Sequence, residues 1–104
     1  MTLRFRDEAS ADVRNAAEYY LHHAGASIAT GFLDAIDATA ELIAAYPASG
    51  SLRHADLLRD AELRVWKVAR FPYLLFAVSA PEGPTVIRVL HTSRDVRAIF
   101  GPLD

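Results

Sequence analysis

The chain has 104 residues, 52% of them apolar, enough to bury the core of one domain, so residues 1–104 are expected to fold as a single unit. Without cysteine there is no disulfide framework, no thiolate metal site and no cysteine nucleophile, which fits a reducing cytoplasm. The formal net charge of −2 hides an asymmetry: residues 1–47 carry three Arg against seven Asp/Glu, whereas residues 64–97 carry six Lys/Arg against Glu82 and Asp95. Solvated faces explain many such splits; a basic surface made for an acidic partner is the alternative.

The N-terminus places Arg4, Arg6, Asp7 and Glu8 where a signal peptide needs an apolar run, and no stretch reaches the roughly 18 apolar residues of a membrane span. A cytoplasmic location, with no membrane association, is therefore expected. Leu3–Arg6 reads as a short strand. Asp7 is placed to cap a following helix, with Glu8 and Asp12 favourable near its positive end. Ala9, Val13, Ala16, Ala17 and Tyr20 recur at helical spacing on one face, while Arg14, Asn15 and Glu18 take the other. Gly25 breaks this helix and Ser27 is the candidate cap of a second. Its apolar stripe is Ile28, Phe32, Ala35, Ile36, Thr39, Ile43 and Tyr46, with Asp34, Asp37 and Glu41 facing out; Pro47 ends it. Two helices joined so closely form an antiparallel hairpin.

Residues 47–61 form a connector opened by Pro47, Ser49, Gly50 and Ser51, with Leu57 and Leu58 available to the core. Three strand-type segments follow, Leu63–Ala69, Tyr73–Ser79 and Thr85–His91, and Pro81-Glu82-Gly83-Pro84 turns the second into the third. The middle one is continuously apolar, as in a strand covered on both sides. Together they predict an antiparallel meander. Strict alternation in the last puts Val86, Arg88 and Leu90 on one face and Ile87, Val89 and His91 on the other, so Arg88 is expected to mark an open sheet face. Asp95–Phe100 adds a helical turn, stopped by Gly101-Pro102. The fold class is α+β: N-terminal strand, α-helical hairpin, three-stranded meander.

Several side chains admit two readings. An imidazole at His91 beside Arg88 and Arg94 has the makings of acid/base chemistry with phosphate clamps; alternatively His91 ends a strand and is held by a backbone or Asp95 contact. Trp66, between Arg64 and Lys67, is either a contact anchor or a core residue covering the helices. Asp95 reads as a structural pin, and Arg94 as available for binding. Adjacent His22 and His23, with distant His54 and Asp56, do not converge on one ion, so no metal is expected.

The words "Pro47-x-x-Gly50", "Leu63-Arg64-Val65-Trp66-Lys67-Val68", "Phe71-Pro72-Tyr73-Leu74-Leu75-Phe76" and "Val89-Leu90-His91-x-x-Arg94-Asp95", preceded by "Ala9…Asp12…Ala16…Tyr19-Tyr20", resemble the ParE branch of the RelE/ParE toxin superfamily in order and spacing. The resemblance covers about Phe5 to Phe100. It implies the toxin of a type II toxin–antitoxin system, neutralised in a hetero-oligomer by direct binding of a ParD-like antitoxin, and inhibiting DNA gyrase without a cofactor or specific DNA binding of its own. Antitoxin and target contacts would fall on Arg64, Trp66, Arg88, His91, Arg94 and Arg97, with acidic antitoxin residues opposite Arg64, Arg88 and Arg94. The RelE branch cleaves mRNA in the ribosome, and on that alternative Arg64, Arg88, His91 and Arg94 would be catalytic; an inactive, antitoxin-binding paralogue is a third. A pI near 6.0, Lys67 as sole lysine and no Tyr after Tyr73 favour a protein target over RNA.

Overall fold

The computed structural model describes residues 3–58 and 62–100. A strand β1 (Arg4–Phe5) leads into helices α1 (Asp7–Ala24) and α2 (Ala26–Ala45). After a connector containing one 3-10 turn (Ala55–Leu57) come β2 (Leu63–Lys67), β3 (Tyr73–Val78), β4 (Thr85–His91) and a short α3 (Val96–Phe100). The α+β order of strand, helical hairpin and three-stranded meander expected from patterning is the one found. The expected stop at Gly101-Pro102 lies outside the described residues, as do the last three positions of the connector, 59–61.

Gly25 alone separates the two helices. Its φ of 96° lies where a side chain is strained, and its N–H donates to the Tyr20 carbonyl while its own carbonyl accepts from Ala29. The helix starts differ from the sequence reading: Asp7 is the first helical residue, not the cap, and α2 begins before Ser27, capped by Gly25. Neither helix has a side-chain cap. Pro47 follows α2 as expected, two residues beyond Ala45.

The sheet order is β1-β4-β3-β2, with β1 parallel to β4 and the remaining pairs antiparallel. The first strand thus joins the last, a pairing reinforced by the Arg6 N–H donating to the Val86 carbonyl. One face packs against the hairpin through Trp66, Leu75, Ala77, Val86 and Val89, which meet Ala9, Ala16, Phe32, Ile36 and Ile43. The other carries Leu63, Val65, Leu74, Phe76, Val78, Ile87 and Leu90 and is covered by Leu57, Leu58 and α3 residues Val96, Ile99 and Phe100. Burial on both sides is why β3 is apolar at every position.

This arrangement corrects the reading of β4. Phe76 pairs with Arg88 and Ala77 with Val86, so Ile87 is an extra residue, a β-bulge that shifts the alternation. Val86 and Val89 consequently share the hairpin face, and Ile87 and Leu90 the opposite one. The face on which Arg88 was expected to stand open is covered, and Arg88 turns toward α1 instead.

Candidate binding surface

The basic residues of the C-terminal half are not arrayed on one face. The Arg64 guanidinium donates from Nη1 to the carbonyls of Ala48 and Gly50 at 2.9 and 2.8 Å, and from Nε to Glu62 at 2.9 Å. It staples the start of the connector to β2, satisfying two connector carbonyls. Trp66 beside it is 6% exposed, and its indole N–H donates to the Ser49 hydroxyl at 3.0 Å. Of its two readings, the core one holds; a buried indole is not placed to anchor a partner. Gly50 fits this contact, since a Cβ there would lie 2.7 Å from indole carbons of Trp66. Its place after Pro47 is therefore set by close approach.

Arg88 forms a two-point pair with Asp12 of α1, Nε to Oδ2 at 2.8 Å and Nη2 to Oδ1 at 3.0 Å. Asp12 Oδ2 also accepts the Val89 N–H at 2.9 Å. The pair is largely covered, with side-chain exposures of 27% and 15%, and hydrogen bonding to Asp12 raises the Arg88 pKa against the opposing effect of desolvation. Both guanidiniums thus hold internal acceptors. Sequence reasoning placed Asp12 at the positive end of a helix, whereas it also plugs the backbone of β4 beyond the reach of two-residue β1.

Arg97 of α3 donates to Asp56 at 2.6 Å on an exposed surface, and this hydrogen bond is the first cause holding the Asp56 carboxyl below its ordinary value. Whatever stability the pair contributes is present at neutral pH and fades as pH falls through the lowered Asp56 value. Arg97→Ala is expected to return the Asp56 titration upward with little change in thermal midpoint, as followed by side-chain NMR and a melting curve.

Two of the sequence candidates do come together. His91 ends β4, and its Nδ1 accepts the Ser93 N–H at 3.0 Å, the backbone contact anticipated in one reading. With Nδ1 accepting, the neutral ring carries its proton on Nε2. The Arg94 N–H donates to the His91 carbonyl at 3.0 Å, closing the turn, while Asp95 Oδ1 accepts from Ala98 at the start of α3. His91 and Arg94 line a cleft of about 240 Å³ together with Asn15, Tyr19 and Tyr73, floored by Asp12. Tyr73 packs edge-on to His91 with ring centroids 5.2 Å apart, and burial, aided by the nearby phenols of Tyr20 and Tyr19, pushes its hydroxyl pKa up. The helical spacing of Asp12, Asn15 and Tyr19 was the signal available for this cleft in the sequence.

A second, larger concavity of about 960 Å³ runs between α2 and the β2–β3 turn. Tyr20, Ile28, Gly31, Ala35 and Phe71 line it, and Arg70, in the left-handed region at φ 70°, sits at its rim. Further along α2, Leu42 is exposed at the same helical phase as Ile28 and Ala35, and Tyr46, the residue after the helix, is exposed as well. Among the described residues no group of His, Asp or Glu is arranged to hold a metal ion, and no helix is long and apolar enough to cross a membrane.

A helical hairpin laid on a sheet whose first strand joins its last, with a donor-rich cleft at the end of that last strand, is a small α+β architecture. One solved chain, described as the chromosomal ParDE TA system from P. aeruginosa, is similar with a TM-score of 0.72 over 88% of this chain and 95% of that one, at 16% identity, which is a likeness of fold. The family described as "ParE toxin of type II toxin-antitoxin system, parDE" matches residues 3–96, and the chain belongs to that family. No curated protein matches it.

Proposed function

We propose that this toxin is held inactive in a hetero-oligomer by a ParD-like antitoxin and that, once released in the cytoplasm, it inhibits DNA gyrase by binding it. The observation that carries the reading is the disposition of its basic side chains. Ribonucleolytic action needs a base to accept the ribose proton and unencumbered cations for the phosphorane. Of the arginines on that alternative, Arg64 and Arg88 have internal partners, which leaves Arg94 as the single cation beside His91 among the described residues, and His91 directs its lone pair to the Ser93 N–H. That arrangement suits a surface that recognises a protein better than one that cleaves RNA.

The groove beside α2 supports the antitoxin half of the proposal. Its apolar lining suits an amphipathic segment of a partner, and Ile28, Leu42 and Tyr46 supply apolar surface that a partner would cover. Purified toxin is expected to block supercoiling by gyrase, and its expression without antitoxin to arrest growth with a DNA-damage response. Loss of protein synthesis with codon-phased mRNA cuts would instead establish ribonuclease action. Silence in both assays, with antitoxin binding intact, would identify an inactive binding paralogue.

A further inference from the structure

We propose that the cleft between α1 and the end of β4 receives one carboxylate side chain of a protein partner, with Arg94 as its anchor. The partner's identity as antitoxin rests on the reading above; the chemistry of the cleft does not.

Each wall of the cleft contributes a donor. Arg94 brings a guanidinium for which no carboxylate lies within ion-pairing distance among the described residues. The neighbouring acid, Asp95, accepts the Ala98 N–H of α3. His91 offers its Nε2–H, because Nδ1 is held as an acceptor by Ser93. Tyr73 keeps its hydroxyl proton, its pKa having been raised by burial. Asn15 and Tyr19 add an amide and a second phenol from α1. The acceptor at the floor, Asp12, is engaged through both oxygens by Arg88 and the Val89 N–H. A polar cleft rich in donors and closed by an occupied carboxylate has an unmet need for an anion.

Charge selects which anion. Arg88 and Asp12 cancel at the floor, leaving the single positive charge of Arg94, which matches a monoanionic carboxylate. A phosphate at neutral pH carries close to two negative charges and would face Asp12 across a cavity of about 240 Å³ with one cation to balance it. The turn closed by the Ser93 and Arg94 N–H groups sets where Arg94 leaves the backbone, at the end of β4.

The test titrates isotope-labelled toxin with N-acetylglutamic acid N-methylamide, with its glutamine counterpart, and with inorganic phosphate. The glutamate probe is expected to shift the Asn15, His91 and Arg94 side-chain signals saturably, with a dissociation constant on the order of 1 mM, while the glutamine probe leaves them in place and phosphate binds more weakly. Arg94→Ala should abolish the response with the remaining spectrum unchanged, and Arg97→Ala should preserve it. Tighter binding of phosphate, equal responses to the glutamate and glutamine probes, or equal loss in the two Arg variants would overturn the proposal. With the cognate antitoxin, Arg94→Ala is expected to weaken the complex about 10–100-fold, whereas an unchanged affinity would show that no partner carboxylate uses the cleft. An antitoxin that failed to bind the parent protein would sink the antitoxin reading and leave the small-probe titration standing.

Discussion

Asp12→Ala is expected to destabilise the protein by about 3 kcal/mol and to lower its thermal midpoint by more than about 10 °C. The change strands the Arg88 guanidinium against α1 with only 27% of its side chain in water, and removes the acceptor from the Val89 N–H. Partial exposure places the cost at the low end of what breaking a buried pair entails. Replacing both members by apolar residues, Asp12→Leu with Arg88→Met, should recover much of the loss, because neither charge then remains buried alone. Chemical denaturation of the two single variants and the double variant completes the cycle. A loss for Asp12→Ala no greater than that for Arg97→Ala would show that the pair does not hold α1 to the sheet.

The second large effect is expected at Trp66. Its truncation to alanine should cost about 3–5 kcal/mol, since the ring fills the space between β2 and the hairpin and no polar group stands ready to fill it. Trp66→Phe should cost less, keeping an aromatic ring but losing the bond to Ser49. Gly50→Ala probes the same contact from the opposite side: a Cβ 2.7 Å from the buried indole forces a shift worth about 1–3 kcal/mol. Denaturation followed by circular dichroism ranks the three, Trp66→Ala lowest. Parent-like stability of Trp66→Ala combined with lost antitoxin affinity would restore the contact-anchor reading.

The elements were legible because each carries a period. Ala9, Ala16, Phe32, Ile36 and Ile43 announce two helices facing one core, and the unbroken apolar run of β3 announces a strand covered twice. Local geometry was less legible. Asp7 and Ser27 are good capping residues, yet a glycine and the incoming chain set the helix starts. The bulge at Ile87 leaves no mark in residues 85–91, since Val, Ile and Leu fit either face, so strict alternation misplaced Arg88. The basic character of residues 64–97 was visible, but the acceptor for Arg88 lies 76 positions away and that for Arg64 is backbone. Charge counting locates cations; only the fold decides which have partners.

The pairing of β1 with β4 orders events during synthesis. A nascent chain that has emerged only through α2 holds both hairpin helices but neither the sheet on which they rest nor the Arg88 that binds Asp12. Contacts this distant in sequence close late, after the intervening loop entropy has been overcome. The N-terminal strand must wait for residues 85 and 86, the positions it pairs with. Fragments released before β4 therefore lack the cleft, the Arg88 partner of Asp12 and the strand that β1 joins.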